Sequence, residues 1–473
     1  MITAGVIRYF QFPTFWLDEA FVAESLRDPT PQHIFAPLWH GQYFPRLYLT
    51  IIVGLRELLG YKTWVLRLLP FACFIAATIL WARLLSRRAG RSLALSVLGG
   101  TLLLGSTFWL DQSIQLKQYT LDVLLSLIPF VIGDEFFSEA LAGRRRKTQL
   151  VLLAIPCLFS YVYPISTLAR VIGWYLYRGR REGWKVNPNG VATFAVALIV
   201  GLIGIWLTDH RSNFVTRAAY LSYWSSSTLG PRFEQGIGSG FRLLADFIWG
   251  WHHGRLQPLM ILAVAPLQIL GVCRVWRAWY ARKSSDNGWG SRTVGSIALL
   301  AGTILASAVV AYPIAAGRLV LFAQIHTQIL AIEGALVVAG LAKTRKPVLI
   351  LLYAAICIVI GYSVHRYVDF VRSVPPENIR PMLTLINREI ADTVLVHPCS
   401  GAQVECLPDG LPVDHISYEN KFGTPQPGIK AWVLWTNLSD QYCRDWLAEA
   451  RKKAISWQVV YEGTGAGLAL AQF

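Results

Sequence analysis

From Leu68 to His365, long apolar runs alternate with short cationic connections. A mostly apolar run of roughly 17–25 residues is enough to cross a bilayer as a helix. Read from one basic connection to the next, the pattern predicts spans near Leu68–Leu85, Leu93–Leu110, Tyr119–Phe136, Gln149–Tyr163, Pro164–Tyr177, Val191–Leu207, Leu256–Val275, Val294–Tyr312, Arg318–Leu341 and Pro347–His365. Gln149–Tyr177 is long enough for one helix, but Arg-rich connections flank both of its ends. Two short passes meeting near Tyr163–Pro164, or a re-entrant hairpin, keep both ends on one side. The fold class expected is an all-α polytopic membrane protein with about ten to eleven transmembrane helices. The pattern changes after Val374-Pro375-Pro376. Asp392–His397 and Ala431–Thr436 read as buried strands, Asp445–Ala454 as a helix, and Val459–Tyr461 and Leu468–Ala471 as further strands. The chain thus divides into a membrane module, residues 1–373, and a small α/β accessory domain, residues 374–473.

Composition fits this picture. Only 15% of residues are charged, against about 25% in a soluble domain. In a soluble protein the net charge of +16 would point to nucleic acid. Here the cations gather at Arg83–Arg91, Arg144–Lys147, Arg178–Lys185, Arg274–Arg292 and Lys343–Lys346, each joining two apolar runs. The positive-inside rule accounts for that placement, so the excess reports orientation and no nucleic-acid partner is expected. The expected location is the plasma membrane, multi-pass, with the remaining connections outside: 18–67, 111–118, 161–166, 209–255, 312–317 and everything after His365. Within the first of these, Phe44–Gly60 is apolar enough to lie in the interface; were it a true span, Arg83–Arg91 would face outward. Met1–Leu17, interrupted by Arg8, Gln11 and Pro13, is too short and broken to span, and a preceding helix is expected. Of the seven cysteines, Cys73, Cys157, Cys273 and Cys357 lie in apolar runs as small hydrophobes. Cys399 and Cys406 are a candidate disulfide if the C-terminal domain is outside, and no metal spacing appears.

Against that background a few outer residues stand out. Asp18 and Glu19 follow the aromatic stretch Phe10–Leu17, and carboxylates at bilayer level are expensive. Either suits a general base toward a hydroxyl, with Asp18 favoured; the plain alternative is a pair of solvated headgroup-level acids. Asp111–Asp122 (DQSIQLKQYTLD) joins two spans outside and carries Asp111, Lys117, Tyr119 and Asp122. An outer lysine runs against the charge trend; it either meets a phosphate or snorkels. Arg318 opens an apolar run after a small-residue turn and suits bidentate phosphate contact, or pairs with a loop acid. His40 and Arg46 (HGQYFPRLY) serve an acceptor or a phosphate, or simply start an interfacial helix. Arg211, Arg217, Arg232 and Arg242 make the 209–255 connection basic although it lies outside, as a cover over an anionic lipid-linked substrate would be. His252 and His253 lack a third metal ligand.

Taken in order, Phe15-Trp16-Leu17-Asp18-Glu19-Ala20, His40…Pro45…Leu47-Tyr48, Trp64-Val65-Leu66-Arg67-Leu68, Arg87-Arg88, Leu116-Lys117-Gln118-Tyr119 with Asp122, and Gly317-Arg318-Leu319 resemble the GT-C superfamily of polytopic glycosyltransferases. The resemblance is to its protein O-mannosyltransferase and aminoarabinose transferase-like branch, and it covers about 320 residues. It implies a polyprenyl-phosphate-linked sugar donor, an unknown glycan, lipid or protein acceptor, inversion at the anomeric carbon, Asp18 as base, and Lys117, Arg318 and Arg46 on the donor phosphate. It implies no cofactor, and the sequence is silent on a divalent ion. The consecutive prolines usual after His40 are replaced by Gly41 to Phe44 and a single Pro45, and the C-terminal domain departs from the mannosyltransferase branch. A transporter or flippase of lipid-linked saccharides is the alternative; it calls for polar groups inside the spans. A non-catalytic scaffold that displays the C-terminal domain is a third reading.

Overall fold

The computed structural model describes residues 2–11, 14–27, 34–36, 38, 42, 44–89, 93–104, 107–142, 153–179, 187–249, 257–280, 289–309, 312–314, 317–342, 346–372, 378–386, 389–391, 393–396, 403, 427–436, 441–463 and 465–473. For 210–225 and 317–318, among others, only the backbone is described. The chain is helical up to Arg372 and carries a small sheet near its C-terminus. It forms two compact units. The first comprises Met1–Gly5, Phe44–Tyr48 and Pro70–Phe370; the second comprises Val6–Tyr43, Leu49–Leu69 and Val371–Phe473.

Among the described residues six helices are long and apolar enough to cross a membrane: Thr63–Arg88, Pro188–Asp209, Ile261–Tyr280, Trp289–Val309, Leu319–Leu341 and Tyr353–Arg372. Other expected spans are broken into pieces. Within Leu93–Leu110 the described residues form helices Leu93–Leu104 and Thr107–Gln112. Tyr119–Phe136 becomes Tyr119–Val131, then Asp134–Leu141. Pro129, which has no N–H to give, sits in the last turn of the former, and Ile132 turns extended at ψ 135. The expected break near Tyr163–Pro164 is present. A 3-10 stretch, Ile155–Phe159, ends at the extended Ser160, and helix Tyr163–Trp174 starts anew with Pro164 in its first turn.

Within the first unit, Gly317–Ala342 is the hub. In its apolar window 89% of residues are buried, against 22% in Pro188–Asp209, whose flank is left to lipid. Close approach is what lets it sit there. A Cβ on Gly334 would run into the Leu267 carbonyl, and one on Gly271 into the Leu330 carbonyl, so helices Gln257–Tyr280 and Gly317–Ala342 meet backbone to backbone. Leu98, Leu102, Val264, Leu267, Ala331, Ile356 and Val359 fill the adjoining core.

The second unit is built on a sheet of order β1-β2-β4-β3. β1 (Thr393–Val396) runs parallel to β2 (Lys430–Thr436); β4 (Ala466–Gln472) lies antiparallel to both β2 and β3 (Ser456–Gly463). Strand alternation supplies two apolar faces. Trp432, Leu434, Val394 and Leu468 pack with Ile379 and Met382 on one. Val433, Trp435, Leu395 and Ala469 pack on the other, beside Trp446 and Leu447 of helix Gln441–Lys453. Cys443 on that helix is buried and disulfide-bonded, whereas Cys73, Cys157, Cys273 and Cys357 are free thiols. The Cys399–Cys406 pair lies outside the described residues.

The same unit takes in the chain's opening segment. The amide and hydroxyl of Thr14 reach Asn378 Oδ1 at 3.1 and 3.2 Å, and Thr14 Oγ1 accepts from the Ile379 amide at 2.9 Å. Gln403 Nε2 donates to the Phe15 carbonyl at 3.1 Å. Tyr61 OH donates to the Ala23 carbonyl at 3.0 Å. Helix Arg46–Leu59, whose last residues belong here, exposes Leu58 and Leu59 and closes at Gly60 with φ +88, a left-handed cap that favours glycine. An amphipathic helix at this place is what Phe44–Gly60 predicted.

Candidate functional site

Asp18 and Glu19 occupy the first turn of helix Leu17–Ser25. An acid in the third helical position reaches back to the N-cap amide, and the Trp16 amide donates to Glu19 Oε2 at 3.3 Å. Glu19 is 1% exposed. Its two oxygens receive the guanidinium of Arg67 side-on, Nε to Oε1 at 2.9 Å and Nη2 to Oε2 at 2.6 Å. Arg67 also donates to the Thr14 carbonyl at 3.1 Å and lies over the Phe15 ring at 5.0 Å. A carboxylate with both oxygens engaged in this way is a positioning group. Asp18, one residue earlier, is only half-buried. The two acids that look alike in the sequence thus part company in the second unit.

The first unit gathers the cations. Phe44–Tyr48 places Arg46 and Tyr48 fully inside, and Lys117 is 3% exposed. The Lys117 ammonium stands 5.6 Å from the Phe44 ring centroid, and its carbonyl accepts from Tyr48 OH at 3.0 Å. Burial, with Cys73 and Asp122 nearby, holds the Tyr48 phenol well above its ordinary range and so protonated. The Arg46 amide donates to Asp209 Oδ1 at 3.2 Å, and Tyr161 OH donates to Asp209 Oδ2 at 2.7 Å. Burial lowers the Arg46 pKa, while Tyr161 and Asp209 counter it electrostatically. Beside Tyr161, Ser160 donates to Asp122 Oδ1. One short connection, Ser160-Tyr161, therefore grips two acids from two helices.

In the first unit Tyr48 and the Ser160-Tyr161 connection link Arg46, Lys117 and Asp122, with buried Tyr119 opening the helix that carries Asp122. Asp111 lies in helix Thr107–Gln112, half-buried. Arg318 is the second residue of Gly317–Ala342 and its side chain is outside the described residues, as is His40 altogether. Asp209, Tyr161 and Ser160 were not singled out from sequence, whereas Tyr48 was, in the stretch HGQYFPRLY. Asp209 had a readable signal, an acid closing a long apolar run; Arg67, quoted within Trp64–Leu68, had another, a cation opening one. Among the described residues no three His, Cys, Asp or Glu side chains gather as metal ligands.

No protein-family model matches the chain, and neither does any curated protein. In structure it is similar to ArnT from Cupriavidus metallidurans. The ArnT structure bound to undecaprenyl phosphate is 13% identical over 99% of this chain and 96% of that one, with a TM-score of 0.45. The apo structure is 15% identical over 98% and 96%, with a TM-score of 0.46.

Proposed function

We propose that the chain is a membrane glycosyltransferase that moves a sugar from a polyprenyl-phosphate donor to an acceptor hydroxyl on the extracytoplasmic face, with inversion. Asp18 takes the acceptor's proton as its oxygen attacks the anomeric carbon. The bond from that carbon to the phosphate oxygen breaks, and the polyprenyl phosphate leaves. Lys117 and Arg46, with Arg318, bear the charge that grows on the departing phosphate. Glu19 serves by fixing the turn that presents Asp18.

The observation that carries the reading is the burial of Arg46 and Lys117 together in a unit built of apolar helices. Buried cations call for anions; Asp209, which accepts from the Arg46 amide and the Tyr161 hydroxyl, is one beside Arg46, and a donor phosphate would be another. An outer site also agrees with a disulfide at Cys443, since such bonds persist in oxidising compartments. The test is transfer from a panel of polyprenyl-phosphate sugars by the full chain in proteoliposomes. Asp18→Asn is expected to keep donor binding and lose turnover by about 10²–10⁴-fold, the span of general-base catalysis. Turnover undiminished in that variant would refute the assignment.

One observation favours the transporter reading. Gln324, His326, Thr327 and Gln328 are buried inside the span Leu319–Leu341. Two of them, however, bond to neighbouring helices, Gln324 Nε2 to the Phe247 carbonyl at 3.0 Å and His326 Nδ1 with Ser296 Oγ at 3.2 Å, while the Thr327 and Gln328 side chains bond within their own helix. Such contacts bind helices together. Asp18→Asn separates the two readings, because passage of a lipid-linked saccharide does not need a base.

A further inference from the structure

At the end of the helices that the basic clusters mark, arginines of the first unit collect around few acids. Glu333, 1% exposed, is held by Arg88 through Nε and Nη2 at 2.5 and 2.6 Å, and by Arg274 Nη1 at 3.3 Å. Asp134 is held by Arg170 and by Ser291 Oγ at 2.8 and 2.9 Å. Trp289 has Arg88 and Arg292 each 5.4 Å from its rings.

Arg292 is the exception in this group. It is 6% exposed, yet among the described residues no carboxylate lies within ion-pair distance of it. Its one hydrogen bond runs from Nε to the Phe130 carbonyl at 2.7 Å, which leaves both terminal nitrogens unused. The next carbonyl, Val131, accepts from Arg87 Nη1 at 3.1 Å. Two guanidinium groups are thus pinned side by side on the final turn of helix Tyr119–Val131, with Arg87 and Arg170 among the electrostatic neighbours of Arg292 and only Asp134 and Glu135 on the opposing side. The positive-inside rule explains why arginines lie at this end; it does not explain burying one with no carboxylate in ion-pair reach among the described residues. Burial of an unpaired cation is costly enough to demand an anion.

We propose that Arg292 and Arg87 form a binding site for a phosphate anion, and that the occupant is the headgroup of an anionic phospholipid. A guanidinium pair matches the oxygen fork of a phosphate. The surroundings set the depth. Arg274 ties helix Gln257–Tyr280 to this cluster through Glu333, and the last turns of that helix expose Trp276 and Tyr280 at 63% and 75%, with Trp279 donating to the Leu176 carbonyl at 3.0 Å. Tryptophan and tyrosine in that arrangement mark headgroup level. The site is independent of the transferase reading and does not include its residues.

The experiment uses the full chain in phosphatidylcholine nanodiscs, with phosphatidylglycerol or inorganic phosphate added, reading retained lipid by native mass spectrometry and the unfolding midpoint. Phosphatidylglycerol is expected to be retained and to raise the midpoint, and Arg292→Gln to weaken its binding about tenfold or more. Arg87→Gln, at an exposed position, gives the same reading should the buried variant fold poorly. A midpoint raised equally by inorganic phosphate would overturn the lipid assignment. Equal phosphatidylglycerol retention by wild type and Arg87→Gln, or none by wild type, would overturn the site.

Discussion

Arg67 divides the labour between two neighbouring acids, and the division is measurable. Removing one member of a buried ion pair leaves the other charged and uncompensated, at a cost of about 3–5 kcal/mol. Arg67→Ala is therefore expected to lower the unfolding midpoint strongly, and Arg67→Lys to recover only part of it, since an ammonium cannot grip both oxygens of Glu19. Glu19→Gln is expected to act mainly on stability, while Asp18→Asn leaves the midpoint near wild type and removes turnover. A midpoint unchanged in Glu19→Gln would show that the pair contributes nothing. In the sequence these acids were legible as a pair worth attention, because acids at bilayer depth are rare. Which of them is held fast was not legible, because that depends on a guanidinium 48 positions away in the chain. Lys117 stood out in the sequence as a cation against the charge trend, and Arg46 as a candidate contact for an acceptor or a phosphate. Asp209 and Tyr161 were overlooked because one looked like a loop boundary and the other like an ordinary interfacial tyrosine.

Helices obey the apolar pattern wherever the run is continuous, and the six long spans coincide with runs readable by eye. The pattern fails where it averages over a local interruption, as where Pro129 and Ile132 close one helix early, whereas the break before Tyr163–Pro164 was expected and is present. Hydropathy averages over such residues, whereas backbone geometry does not. The close pair Gln257–Tyr280 and Gly317–Ala342 was equally hidden, since Gly271 and Gly334 are weak signals until their partners are known. Gly334→Leu is expected to force the helices apart at the Leu267 carbonyl and destabilise the first unit by about 1–3 kcal/mol or more. Gly340→Leu, where a Cβ would meet nothing, is the control. Equal midpoints for the two variants would refute the close-packing account.

For the molecule as a whole, the accessory domain read from the last hundred residues is present as a sheet, but its compact unit also contains the acidic turn. Composition marked the change after Val374; it carried no sign that Asn378 and Gln403 bond back to Thr14 and Phe15. Deleting 378–473 is expected to leave the first unit inserted while making residues 14–25 sensitive to protease and abolishing transfer. Protection of that segment in the truncated chain would contradict the bonding. Alkaline phosphatase fused after Phe473 is expected to be active, and inactive when fused after Lys147, if the domain faces outward.

The bonds from Thr14 and Phe15 to residues near the C-terminus also order events in time. Synthesis supplies Thr14 364 residues before its partner Asn378, so the intervening helices can enter the bilayer while the acidic turn still lacks its final setting. A chain released early would carry its apolar helices yet leave Thr14 and Phe15 without Asn378 and Gln403 to bond to.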